Sequence, residues 1–167
     1  MEPSRSIRVE NQPQIETSLY GAMSSTGRCS PDVTPFRILF IKPYNSISDK
    51  LTYGPPLGIL TLISGLRRFF GDKIHVDFWD MKLYHDSAAS ISEKLDLYLP
   101  DVVGVSSLNC EAAASYEIAD AVKAWDPRTI TIIGGPFTLR QSQLIFDQSS
   151  FDWVFEGAAD RTLIQAL

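Results

Sequence analysis

The chain has 167 residues, 44% of them hydrophobic, with a mean hydropathy of −0.02: enough for one globular domain with a sizeable core, too little for a second full one. A net charge of −5, a pI near 4.9 and scattered basic residues, with Arg67-Arg68 the only adjacent pair, argue against a nucleic-acid face. No run approaches the roughly 18 apolar residues of a membrane span, no signal-peptide core opens the chain, and Cys29 and Cys110 are too few for a disulfide framework, so a cytoplasmic protein is expected.

Residues 1–35 lack sustained periodicity and are rich in Ser, Thr, Pro and Gly, so a disordered leader is expected there. Ile7, Val9, Ile15, Leu19 and Tyr20 could form a short docking element within it. The domain proper is expected over 36–167. Its first strand is Phe36 to Ile41, FRILFI, stopped at Lys42-Pro43 because proline cannot donate to a central ladder. The loop from Tyr44 to Gly54 is long for an α/β connection, and long loops in compact domains tend to be functional. Pro55-Pro56 opens a helix with Leu57, Leu60, Ile63 and Leu66 as its apolar stripe, flanked by Ile59, Leu62, Phe69 and Phe70; Gly71 ends it.

Lys73 to Asp80 alternates Ile74, Val76 and Phe78 with His75, Asp77 and Trp79, the pattern of an edge strand with one wetter face. Ser90 and Glu93 have capping-box spacing ahead of a short helix on Ile91, Leu95 and Leu99. Pro100 to Leu108, PDVVGVSSL, and Thr129 to Pro136, TITIIGGP, are β-branched runs without charge after their first positions, as in strands buried on both faces. Between them Asn109 is the expected N-cap of a helix reaching Trp125. A helix over roughly Leu139 to Asp147, a strand from Phe151 to Phe155 and a helix on Thr162, Leu163, Ile164 and Leu167 complete the series.

Five strand–helix repeats predict an α/β fold: a Rossmann-like, flavodoxin-like doubly wound five-stranded parallel sheet in three layers, with its switch point between the ends of the first and third strands. Ser106, Ser107, Gly134 and Gly135 would lie at the ligand-binding edge of that sheet. A phosphoacceptor receiver is excluded there, because Lys42-Pro43 and Ser106-Ser107 stand where its carboxylates belong. Neither a G-x-G-x-x-G turn nor a phosphate loop occurs. No paired carboxylates, Ser-His-Asp set or metal-spaced histidines appear, so no catalytic and no metal-ligating residue is proposed.

Ser106-Ser107-Leu108 and Gly134-Gly135 reproduce the S-x-L and G-G elements of cobalamin-binding Rossmann-like domains. With Gly54-Pro55-Pro56-Leu57-Gly58, Pro100-Asp101-Val102-Val103-Gly104 and Gly134-Gly135-Pro136, residues 36–167 resemble the N-terminal cobalamin-binding domains of class B radical S-adenosylmethionine enzymes. The resemblance implies that cobalamin's nucleotide tail slides beside the sheet near Ser106, Ser107, Gly134 and Gly135. It further implies a corrin ring across the strand ends, met by Tyr44, Tyr53, Gly54, Leu57 and Gly58, by Leu108 and Asn109, by Pro136 and Phe137, and by Glu156 and Gly157. Asp80, at a strand end, either bonds the ligand or caps the following turn.

The D-x-H-x-x-G element, whose histidine ligates cobalt in methionine-synthase-like domains, is absent. The resemblance then implies base-off cobalamin without a protein histidine; His85 is read as a solvated loop residue. G-E-G-E near the last strand is replaced by Gly157-Ala158-Ala159-Asp160. C-x-x-x-C-x-x-C is missing too, so a [4Fe–4S] cluster and S-adenosylmethionine could come only from a radical SAM domain, in cis or in trans. The implied function is a module presenting cobalt for methyl transfer to an unreactive carbon. In that case Leu163, Ile164 and Leu167 are expected to leave apolar surface bare. Two other readings compete: a cofactor-free interaction module with its pocket plugged by Phe137 or Tyr53, and a small-ligand or mononucleotide binder at the same switch point.

Overall fold

The computed structural model describes residues 34–44, 54–86 and 90–167. The leader expected over 1–35, apart from its last two residues, and residues 45–53 of the long loop lie outside the described residues.

Five strands form the sheet: β1 (Phe36–Lys42), β2 (Ile74–Asp80), β3 (Val102–Ser106), β4 (Ile130–Gly134) and β5 (Trp153–Val154). All are parallel, in the order β2-β1-β3-β4-β5, which is the flavodoxin-like order with β1 inside the sheet and β2 at its edge. The helices are α1 (Leu57–Phe70), the single turn α2 (Met81–Tyr84), α3 (Ile91–Tyr98), α4 (Ala112–Trp125), α5 (Ser142–Gln148) and α6 (Asp160–Ala166).

Alternation along the strands divides the core in two. Ile38, Phe40, Val102 and Ile132 pack beneath Ile59, Ile63 and Leu66 of α1 and Leu163 of α6. Leu39, Ile41, Val103, Val105 and Ile133 pack on the opposite face against Ile91, Leu95, Ile118, Val122 and Ile145 of α3, α4 and α5. Each face of a parallel sheet must be covered, and helices from different parts of the chain cover them.

Gly104 sits where β3 passes under the Phe40 ring. A Cβ there would stand 2.7 Å from two ring carbons and 3.3 Å from Ile132. Gly104→Ala is therefore expected to lower the unfolding free energy by about 1–3 kcal/mol, the usual cost of overpacking, with Phe40→Leu recovering part of it. Urea unfolding of the two variants would show this, and an unchanged midpoint for Gly104→Ala would refute it.

Several local expectations are corrected. The buried side of α1 is Ile59, Ile63 and Leu66, whereas Leu57, Leu60 and Phe69 are exposed, because the sheet lies on that other side of the helix. Trp79 belongs to the core rather than to a wet face: α2 and α3 cover that end of β2, and its indole N–H donates to Asp86 at 2.8 Å. Ser90 makes no side-chain capping bond, and Leu99 is the exposed left-handed cap that ends α3. Asn109 does not cap α4. A 3-10 turn, Asn109–Glu111, comes first, and α4 begins at Ala112. Another such turn, Pro136–Thr138, delays α5 to Ser142, and the last strand is two residues long.

Of the apolar surface expected at α6, only Leu163 is fully covered. Leu163 is buried, while Ile164 and Leu167 pack half-buried on the α1 side of the core.

Candidate functional site

β3 and β4 carry the motifs, and their register decides what those motifs can do. Ser106 pairs with Gly134. Counting back by twos, both fall on the face of Gly104 and Ile132, the side roofed by α1 and α6. There the sheet and the two helices leave a cleft of about 400 Å³, within the range of small-molecule and cofactor pockets. Its floor includes Phe40, Gly104 and Ile132; Ile59 and Leu62 of α1 and Leu163 of α6 form its walls.

The Ser106 hydroxyl lines this cleft and makes no hydrogen bond among the described residues. At Gly134 an added Cβ would meet only Phe155, at 3.8 Å, so the glycine leaves open space rather than relieving a clash. A hydroxyl unpartnered among the described residues, beside an empty side-chain position, could serve a ligand with an apolar body and a hydrogen-bond acceptor.

The second member of each doublet does something else. Ser107 is buried on the α4 side: it donates to the Leu108 carbonyl at 3.0 Å and accepts from the Ser115 hydroxyl at 2.8 Å. Gly135 has φ of 100°, and a Cβ there would lie 2.7 Å from the Ser107 carbonyl oxygen. The Ser107 backbone explains this closeness, since it donates to the Gly134 carbonyl and accepts from the Phe137 N–H, at 2.9 and 3.1 Å. Gly135 therefore touches the cleft but is required by the backbone.

Of the other residues singled out from the sequence, Gly58 and Gly157 line the cleft. Leu57 opens instead onto an outer groove between α1 and α6, and Gly54 and Pro136 are exposed. Tyr53 lies outside the described residues. Tyr44 packs on the opposite core, edge-on to His85 at 5.6 Å between ring centroids. Phe137 is buried in that same core beside Tyr116, whose hydroxyl burial holds above its ordinary pKa. Asp80 is engaged as the cap of α2, accepting from the Lys82 and Leu83 N–H groups at 3.0 and 3.2 Å. Glu156 is turned to α5, where the Ser142 hydroxyl donates to it at 2.6 Å. Asn109 is exposed, and Leu108 is half-buried.

Glu111, unmarked by any motif, was missed. Its side chain is 1% exposed, yet it joins the ends of β1 and β3: it accepts from the Leu108 N–H at 2.9 Å and pairs with Lys42 at 3.3 Å. That ion pair spans the crevice between the first and third strands. A lone glutamate three residues after a leucine gives no capping signal, since the usual pattern requires Ser or Thr.

Among the described residues no group of three or more His, Cys, Asp or Glu side chains could hold a metal ion, and no helix is long and apolar enough to cross a membrane. His75 pairs with Asp77 at 2.9 Å and, like His85, does not line the cleft.

A family model described as a B12 binding domain matches residues 51–167. Among solved structures, the chain is similar to OxsB, a cobalamin-dependent S-adenosylmethionine radical enzyme, at a TM-score of 0.58 and 18% identity. That match covers 80% of this chain and 18% of the enzyme, so the chain spans less than a fifth of the enzyme's length, and the likeness is one of fold. A pilus assembly-related protein from Burkholderia pseudomallei matches at a TM-score of 0.46 and 17% identity, over 78% of this chain and 88% of that one. No curated protein matches the chain.

Proposed function

The chain belongs to the B12-binding domain family, and from that premise we propose that it holds cobalamin with the nucleotide tail in the cleft under α1 and α6, and presents the cobalt to a radical SAM domain in cis or in trans. The observation that carries the reading is the register pair Ser106 and Gly134, a hydroxyl with no partner among the described residues beside an open glycine position at the carboxyl edge of the sheet. The surrounding walls are apolar, which suits a ring system drawn out of water.

Cobalamin supplies a methyl-carrying or redox-active cobalt, and methyl transfer to an unreactive carbon is the proposed use. This chain's own part is to bind and to orient. Ser106 meets a polar atom of the tail, Gly134 leaves room for it, and Glu111 with Lys42 fixes the loop after β3. Base-off binding without a protein histidine is part of the same proposal, since no histidine stands in the sequence between Lys42 and Gly58. A cytoplasmic location and a partner other than nucleic acid fit the same reading.

The test is a visible spectrum after incubation with hydroxocobalamin and desalting. Retained cobalamin absorbance at a stoichiometry near one is expected. A folded but colourless protein would overturn the reading in favour of a cofactor-free interaction module. Against that alternative stands the cleft, open among the described residues, which Phe137 does not enter; Tyr53 lies outside them. Retained flavin would favour the mononucleotide reading, although Lys42 and Glu111 already bridge the crevice such a ligand would use.

A further inference from the structure

We propose that the outer groove between α1 and α6 is a docking site for a segment of this same chain, residues 13–20. The groove holds about 500 Å³ and follows one stripe of α1, Leu57, Leu60, Ser64 and Arg68, with Arg161 and Ile164 of α6 opposite. Gly65 lets the two helices close up, since a Cβ there would already stand 3.7 Å from the Ile164 Cδ1 atom. Above that floor Leu57 is 68% exposed and Leu60 43%, on the side of α1 turned away from the sheet. Leucines in a row on one helix, rimmed by charge, suit the apolar face of a short amphipathic helix.

The leader contains a matching pattern. Pro13 and Gly21 bracket PQIETSLY as the first position and the stop of a short helix, on which Ile15 and Leu19, four apart, would share one face. The one charge in that segment, Glu16, complements Arg68 and Arg161. Two arginines against the single Asp160 leave the groove net positive in a chain of net charge −5. Ile7 and Val9 fit less well, because Arg5 and Arg8 beside them would meet the same arginines.

The tether favours this occupant over one from another molecule. Phe36 pairs with Ile74, and Ile74 follows the turn Gly71–Lys73 that ends α1, so the chain enters β1 beside the lower end of the groove. From Leu57 to Arg68 the groove is about 16 Å long at 1.5 Å of rise per residue. Residues 21–33, GAMSSTGRCSPDV, stand between the segment and the described chain, and a linker of that length and composition spans about 20 Å on average. A matched span gives an effective concentration on the order of millimolar, at which two apolar side chains and an ion pair suffice for docking. Occupied in this way, the groove ties together the two helices that wall the cleft.

The experiment places a nitroxide on the full chain at Thr17→Cys, on the far side of the segment from Ile15 and Leu19, with Cys29→Ser and Cys110→Ser, and reads methyl NMR intensities. The signals of Leu57, Leu60 and Ile164 are expected to broaden several-fold more than those of Leu97 and Leu144, which are exposed on helices of the opposite layer. Leu19→Asp is expected to remove that difference. Arg68→Glu with Arg161→Glu is expected to remove it too, and adding Glu16→Arg to restore it. Groove signals that broaden no more than the reference ones, or that broaden equally in the Leu19→Asp chain, would overturn the proposal. So would broadening seen only when nitroxide and isotope label sit on different chains, because a second copy would then be the occupant. Leu19→Asp alters the segment alone and decides the matter even if a groove variant fails to fold. No cofactor is added, so the cofactor reading stands whichever way the result falls.

Discussion

Gly134→Leu is expected to abolish cobalamin retention, by about a hundredfold or more in affinity, while leaving the thermal midpoint close to that of the unsubstituted protein. The backbone at Gly134 needs no special conformation, and its added Cβ would meet only Phe155, at 3.8 Å. The leucine would then extend into the cleft and occupy the volume the tail needs. The neighbouring Gly135→Leu is expected to fail differently. With φ of 100° and a Cβ 2.7 Å from the Ser107 carbonyl oxygen, it forces β3 and β4 apart and lowers stability by about 3 kcal/mol or more. Thermal unfolding and a visible spectrum of both variants separate the two effects. Full cobalamin retention by a folded Gly134→Leu protein would refute the assignment of the cleft.

Lys42→Met is expected to destabilise the fold by about 3 kcal/mol, because it removes the cation from a carboxylate that is 1% exposed. Glu111 would keep only its bond from the Leu108 N–H, at 2.9 Å. Adding Glu111→Gln to Lys42→Met should restore much of the loss. The amide is neutral, and its oxygen can still accept from Leu108. Denaturant unfolding of the single and double variants measures the coupling, and a Lys42→Met protein as stable as the parent would refute the buried pair as a structural tie.

The sheet was legible because strands buried on both faces are written in β-branched runs, and the strand–helix alternation leaves few ways to order them. The site was legible only in outline. Adjacent residues on a strand point to opposite faces, so of the doublets Ser106-Ser107 and Gly134-Gly135 only the first member of each can look fully into one cleft. Which member it is depends on where Phe40 and Ile132 pack, and that is settled by tertiary contacts. The same limit applies to α1. Leu57, Leu60, Ile59, Ile63 and Leu66 make much of that helix apolar, and the sequence does not say which side meets the sheet. Glu111 was hidden because its partners, Lys42 and the Leu108 amide, converge on it from separate strands. Its role is a property of the fold rather than of a motif.

The roof of the cleft is made from α1 and α6, helices about a hundred residues apart in the chain. During synthesis the floor and the first wall can form early, but the pocket has no second wall until residues 160–166 have been made and have docked on α1. A nascent chain halted before that point would hold a sheet edge and no enclosure. On the proposed reading, loading with cofactor would thus wait for the long-range contact between α1 and α6 that closes the fold.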